Sequence, residues 1–362
     1  VRAEPAIVEQ VAVEPLHVPL REPFVIATAR MESTRAALVR VRVRAGDRTA
    51  EGLGEAAPLF PVTREDWPEV GTRVLAAKLA DAKVTLATLP SVLDATLADV
   101  PVARAGVEAA LLDAMARLVG QPVCALLAPG PHATELETDV TLPIAGAARM
   151  TELARAWRAE GFSAFKVKVG KDLDEDVRAL RAVAAAVPDA RLRLDANGGY
   201  SAREALALLA ALEGVRVECF EQPCPRDDLE GMARVTREAK VPVVADESAR
   251  TLADLDAIVA HRLARGVNLK LAKHGGLLAA LELGRRARAA GLSVMCGAMV
   301  ETRLGLVTMA HVVAALGGAD FVDLDTAFLL AEEPFDGGWS VEGPRLRLAL
   351  GEGLGLRLAG RR

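Results

Sequence analysis

Lys166 and Lys168, one residue apart in FKVKVG (165–170), are the first residues here whose types and spacing can do chemistry. Side chains alternate along a strand, so both ammonium groups share one face while Phe165, Val167 and Val169 take the other. Alone, such a segment reads as an edge strand with a solvated basic face. In a closed barrel the same face is the interior. The acids that follow decide between the two. Asp195 and Asn197 end RLRLDAN, Glu221 sits in VECFEQP, Asp246 and Glu247 in VVADES, Lys270 in VNLKLAK, and Asp323 and Asp325 in FVDLDT. Any single acid reads as a helix cap or a salt bridge. Taken together, Asp195, Glu221 and Asp246 close three consecutive predicted strands, and three carboxylates brought to one mouth repel one another. A hard divalent cation with oxygen ligands relieves that repulsion: Mg2+ fits best and Mn2+ substitutes. Zinc is disfavoured because no His or Cys belongs to the set. His274 reads as a helix-start residue rather than a ligand.

Lys168 and Lys270 come from roughly opposite walls and flank the acids. A base on one side of a carbon and an acid on the other can remove a proton and return it to the opposite face. A lysine acting as base must be neutral near pH 7, and burial, the Lys166 ammonium and a bound cation all push in that direction. Lys166 can bind an anion and poise Lys168. The cation would stabilise the enolate-like species formed when a proton leaves the carbon beside a carboxylate.

These residues need a scaffold that gathers strand ends. From residue 136 onward LETDVTLP, FKVKVG, RLRLDAN, VECFEQP, VVADES, VNLKLAK, VMCGAM and FVDLDT alternate with amphipathic Ala/Leu/Arg-rich helices. Eight strands in this alternation close as a barrel, whose catalytic groups stand at the C-terminal strand ends. The helix after the eighth strand is missing, so the expected fold is an α/β modified TIM barrel, (β/α)7β, over 131–325. An α+β capping domain is expected over 1–130, completed by a tail, 326–362, that runs back to it. Within the cap, AIVEQVAVEPLHV and AALVRVRVRAGDRTAEGLGEAAP alternate with period two, PLREPFVIATARMES reads as a loop, and helices are predicted at about 65–84 and 102–119.

Composition narrows the partners. The net charge of −5 gives no electrostatic case for nucleic acid, and no basic block suits a membrane surface. Acids and prolines interrupt the first sixteen residues, no apolar run reaches membrane-spanning length, and Cys124, Cys219, Cys224 and Cys296 lack CxxC spacing. A cytoplasmic enzyme of a small molecule, with free thiols, is expected. Ala-rich barrel helices are compatible with a homo-oligomer.

In this order and spacing, KxK, DAN, EQP, ADES and KLAKHGG resemble the muconate-lactonizing subgroup of the enolase superfamily over essentially the whole chain. The resemblance implies Asp195, Glu221 and Asp246 as magnesium ligands and Lys168 and Lys270 as the acid/base pair. It further implies Asn197 and Glu247 as supports for the ligands, and Lys166 as a contact of the substrate carboxylate. The subgroup hosts several reactions. Asp323 and Asp325, expected to share the inward face at the barrel lip, suit a substrate with a cationic end, and with MCGAMVETRLG they are similar to the dipeptide epimerases of the L-Ala-D/L-Glu type. The implied activity is Mg-dependent epimerisation, a 1,1-proton transfer at the α-carbon of a dipeptide's C-terminal residue. N-acylamino acid racemase, o-succinylbenzoate synthase and muconate-type cycloisomerase are the alternatives. Met299 and Thr302 are expected to line the specificity pocket with the 19–33 loop, in which Arg21 and Arg30 are candidate carboxylate binders and Phe24, Val25 and Ile26 equally permit an apolar or mixed preference.

Overall fold

A computed structural model of the chain describes residues 5–60 and 62–360. Residues 1–4 and 361–362, the ends of the expected cap, lie outside them, as does residue 61.

The cap begins with a four-stranded antiparallel sheet in the order Arg48–Ala56, Ala36–Ala45, Ala6–Leu16, Lys83–Val84. Its alternation does what period two demands: Val39, Val41 and Val43 are buried while Arg40, Arg42 and Arg44 face outward, where Arg44 pairs with Glu9 at 2.8 Å. Helix Pro101–Leu118 lies on this sheet and is buried nearly all round, as a helix between two layers must be. Its approach is set by glycine, since a Cβ on Gly54 would stand 2.0 Å from the Gly106 carbonyl oxygen.

The barrel strands are Val140–Leu142, Ala164–Lys168, Arg191–Asp195, Val217–Glu221, Val243–Ala245, Gly266–Leu269, Ser293–Cys296 and Phe321–Val322, each parallel to the next. The Asp139 N–H donates to the Val322 carbonyl at 3.1 Å, joining first strand to last. A four-residue helix, Thr326–Leu329, follows the eighth strand, and the tail then runs outward. Strand Arg345–Leu348 pairs with Glu135–Glu137, and the Leu354 N–H donates to Asp113 of the long cap helix at 2.8 Å. Among the described residues no helix is long and apolar enough to cross a membrane.

Four local expectations are corrected. Segment 19–33 is a two-stranded hairpin, Pro19–Val25 with Arg30–Ser33, closed by an Ile26 N–H to Ala29 carbonyl bond at 3.0 Å. It has no Gly or Asn turn to announce it, and its register is irregular. The first predicted cap helix covers only Trp67–Ala76; strand Lys83–Val84 and helix Leu89–Leu97 follow separately. LETDVTLP divides into Glu135–Glu137, which pairs with the tail, and Val140–Leu142, which enters the barrel. VNLKLAK leaves the sheet at Leu269, because Leu271–His274 turns into a short helix.

Candidate active site

Strand register brings the predicted groups together. Lys168 and Asp195 are Cα partners on neighbouring strands, as are Asp195 and Glu221. All three predicted ligands are fully or almost fully buried: Asp195 0%, Glu221 1%, Asp246 0% exposed. In this arrangement lysines balance them. Lys166 Nζ lies 2.7 Å from Asp323 Oδ2, 2.8 Å from Glu221 Oε2 and 3.1 Å from Asp195 Oδ2. Lys168 Nζ donates to Asp195 Oδ2 at 2.6 Å, and across the barrel Lys270 Nζ donates to Asp246 Oδ2 at the same distance.

The backbone reason for this convergence lies in the loops. Asn197 takes a left-handed φ of 44°, which turns its N–H onto Asp195 Oδ1 at 2.9 Å and sends its side-chain amide to Glu247 Oε1 at 3.1 Å. Gln222, the middle residue of EQP, accepts from the N–H groups of Asp246 (2.9 Å) and Ser248 (3.1 Å), tying the fourth strand's exit to the fifth. The second glycine of KLAKHGG has a packing cause: φ at Gly276 is 134°, and a Cβ there would stand 2.4 Å from Glu108 Oε1, which accepts from Leu278 N at 2.8 Å. The cap helix thus grips the loop that follows Lys270, helped by Arg104, which donates to the Gly275 carbonyl.

Burial and charge set the protonation states. Burial alone would lower Lys166 and Lys270, but the carboxylates around them, Asp323 foremost for Lys166 and Asp246 for Lys270, hold both above the usual lysine range. At Lys270 burial and the Lys166 ammonium are thus outweighed by Asp246. Each of the two has a carboxylate oxygen within 2.7 Å. Burial raises Asp195 and Asp246 and is outweighed by their lysines, Lys168 for the first and Lys270 with Lys273 for the second, so both stay below the carboxylate range. Glu221 moves up through burial and through Asp195.

Asp323 and Asp325 line the same cavity as Lys166, Lys168 and Lys270. The strand stops at Val322, however, and Asp325 is not a second inward residue of a continuing strand. Its Oδ2 accepts from the Thr141 N–H at 2.5 Å, which ties the eighth strand's exit to the first strand. Burial and then the Asp323 charge push Asp325 up to about 7. The cavity measures about 30 Å³ and is roofed by Phe24 and Ile26 of the hairpin, with Leu59, Val62 and Met299 at its sides.

Thr302 does not line this cavity. It caps helix Arg303–Leu316, and its hydroxyl donates to Glu55 Oε2 of the cap at 2.6 Å. Arg21 faces outward and donates to the Leu330 carbonyl at 2.9 Å, while Arg30 pairs with Glu32 in the open. Val25 also stays off the lining and spends its carbonyl on the Ile144 N–H. His274 ends its short helix instead of starting one, and its Nδ1 meets the Arg250 carbonyl at 2.8 Å.

Two further side chains contact the predicted acids and were not singled out from the sequence. Lys273 places Nζ 2.7 Å from both Asp246 O and Asp246 Oδ1 and 2.6 Å from Asn268 O, so all three of its donors are committed. Asn268 donates to Glu221 Oε1 at 2.7 Å. Asn268 could have been found by stepping two residues back from Lys270 on the same strand face. Lys273 could not, because the helical turn at 271 that swings it inward leaves no periodic trace.

As a donor set, Asp195, Glu221 and Asp246 fit a hard divalent cation: carboxylate oxygens only, all three buried at neighbouring strand ends. Among the described residues no group of acids, histidines and cysteines stands ready as a coordination sphere, since Lys166 and Lys270 bridge the three acids.

A cap over a (β/α)7β barrel, with paired lysines and acids at the strand ends, defines a class, and comparison with known proteins agrees. The family "Mandelate racemase / muconate lactonizing enzyme, N-terminal domain" matches residues 8–128, and "Enolase C-terminal domain-like" matches 149–362. The chain belongs to this mandelate racemase and muconate lactonizing branch of the enolase superfamily. It is 40% identical to an L-Ala-D/L-amino acid epimerase of Populus trichocarpa, over 91% of this chain and 79% of that one. With an aromatic dipeptide epimerase of Herpetosiphon aurantiacus the identity is 38%, over 98% and 100%. The crystal structure of a dipeptide epimerase from Enterococcus faecalis V583, complexed with Mg and the dipeptide L-Leu-L-Tyr, superposes with a TM-score of 0.90 at 31% identity, covering 97% of this chain and 99% of that one.

Proposed function

We propose that the protein is a magnesium-dependent dipeptide epimerase that inverts the α-carbon of the C-terminal residue. The observation that carries this reading is one cavity holding two lysines on opposed walls together with two acids at its lip. Membership of a family whose relatives act on amino-acid derivatives supports the isomerase class.

Lys166 supplies fixed positive charge for the substrate carboxylate. Lys168 and Lys270 stand on either side of the α-carbon, one taking its proton and the other delivering a proton to the opposite face. Asp323 and Asp325 receive the substrate's α-ammonium; the N-acylamino acids of the racemase alternative carry no such group. Asp195, Glu221 and Asp246 would hold Mg2+, which when bound stabilises the negative charge that develops on the substrate carboxylate. Asn197, Glu247, Asn268 and Lys273 keep those acids oriented. The aromatic and aliphatic roof of Phe24 and Ile26, with Met299, favours an apolar C-terminal side chain, and because the cavity is far smaller than a dipeptide, the hairpin must lift to admit one.

Incubation of the Mg-loaded protein with pooled L,L-dipeptides in D2O, followed by mass spectrometry, tests the reading. One deuteron at the C-terminal α-carbon is expected, first in dipeptides ending in apolar residues. Exchange in N-acylamino acids but in no dipeptide would replace this assignment with the racemase.

A further inference from the structure

Beside the catalytic cavity, on the far side of Val62, lies a second cavity of about 340 Å³ that the reaction does not use. It is walled by Arg64 of the cap loop, Arg226 after the fourth barrel strand, Arg250 after the fifth and His274 after the sixth. Arg64, Arg226 and Arg250 line one space, and among the described residues none of the three pairs there with a buried carboxylate. Among the described residues neither Arg64 nor Arg250 has a carboxylate within ion-pair distance, and Arg226 reaches only Asp227 at 3.8 Å, a side chain 97% exposed. Of the two acids on the wall, Asp99 pairs with Arg73 at 2.6 Å, and Asp254 Oδ2 accepts from the backbone N–H groups of Arg250 (3.0 Å) and Thr251 (2.9 Å). Lys273 also borders the space, but its three donors are spent on Asp246 and Asn268.

Two buried atoms at this wall make no hydrogen bond. Arg250 Nε has no partner, although the same guanidinium donates through Nη2 to the Val62 carbonyl at 2.6 Å. His274, only 9% exposed, leaves Nε2 unpartnered. Burial and then the charges of Arg226 and Arg64 push Arg250 below the usual arginine range, against a smaller opposing pull from Asp246 and Glu247.

We propose that this cavity is an anion site for a compact dianionic oxyanion, inorganic phosphate or a phosphate monoester, bound by Arg64, Arg226 and Arg250. Three planar forks of N–H donors around one volume suit a tetrahedral anion, which offers enough oxygens to engage them together, better than a single planar carboxylate. Because Arg64 belongs to the cap loop and Arg226 and Arg250 to the barrel, the bound anion would fasten the loop that carries Val62 against the catalytic cavity. The site is distinct from that of the reaction, and the proposal stands whichever substrate the enzyme takes.

Titration calorimetry of the full-length, Mg-loaded protein with inorganic phosphate, against acetate and chloride at matched ionic strength, tests it. Saturable phosphate binding is expected, at least about tenfold tighter than acetate. Arg226→Gln, whose side chain holds no backbone group, is expected to weaken phosphate binding by at least about tenfold with an unchanged melting temperature. Arg250→Gln is expected to do the same and to loosen the Val62 loop. Lys166→Met, in the catalytic cavity, is expected to leave phosphate affinity intact. Tighter binding of glycerol 3-phosphate than of phosphate would make a monoester the occupant, and equal binding would make it free phosphate. Phosphate no tighter than acetate, or binding lost in Lys166→Met and kept in Arg226→Gln, would overturn the proposal.

Discussion

The barrel interior holds two charged layers, and they differ in what their charges are for. One layer down the strands from Lys168 and Asp195, Arg193 is the Cα partner of Lys166. Its Nη1 donates to Asp139 Oδ2 at 2.8 Å and to the Val322 carbonyl at 3.1 Å, and its Nε donates to Glu218 Oε2 at 2.7 Å, with the Phe321 ring 5.1 Å from its guanidinium carbon. Arg193 and Asp139 are as buried as the mouth, but the cation here is an arginine, which holds its proton throughout the accessible pH range and bridges first, third and eighth strands in a fixed fork. At the mouth the cations are lysines, compact and able to exchange protons, and they face a cavity. Burial of charge alone therefore does not separate the two layers. A proton-exchanging group that faces a cavity does.

Several substitutions would break or sharpen this contrast. The largest effect is expected at the mouth: Lys168→Ala or Lys270→Ala should each reduce α-proton exchange by about 10²–10⁴-fold, read by deuterium incorporation, while the protein stays folded. Substantial exchange surviving in both variants would end the two-base scheme. In the lower layer, Arg193→Met should cost about 3–5 kcal/mol of stability, because it leaves the fully buried Asp139 without its cation, and urea titration measures it. The fraction that folds should turn over substrate normally; a folded but inactive Arg193→Met would erase the distinction between the layers. Lys273→Met should weaken Mg2+ binding by about 10–100-fold by releasing the Asp246 carboxylate, read by calorimetry, and unchanged affinity would make Lys273 a purely structural residue.

The smallest effect concerns pH and the contact between cap and barrel. Glu55 accepts from Thr302 N and Gly305 N at 3.0 Å each, and burial, then Glu301, push it up to about 8. A carboxyl that holds its proton more tightly folded than unfolded contributes most stability at low pH, and that contribution is lost as pH rises from about 4.5 to about 8. Melting curves of wild type and Glu55→Gln should accordingly diverge across this window, with the wild type falling faster. Parallel curves would show that Glu55 is ionised throughout.

Much of this was legible in the chain. Alternation in FKVKVG and RLRLDAN set which residues share the interior, since a strand's period of two is a local property. The eight alternating units fixed the barrel, because so many strands joined by crossovers have few other ways to bury both faces. Hence Lys166, Lys168, Asp195, Glu221, Asp246 and Lys270 could be gathered before any coordinates. The hairpin at 19–33 could not, for its pairing rests on contacts with the barrel mouth rather than on turn residues. Thr302 misled because its motif neighbours face the cavity, while its own position at a helix start turned its hydroxyl to Glu55.

What the sequence determined by itself was the set of groups and the layer they occupy, both consequences of short-range periodicity and element count. Only the tertiary structure decided which charge meets which. Lys166 spans Asp323, Glu221 and Asp195, Lys273 stands behind Asp246, and Arg64, Arg226 and Arg250 come from separate loops to face one space. Those distances are set by barrel closure and by the cap helix gripping Gly275 and Gly276, and long-range packing of that kind has no counterpart in local residue spacing.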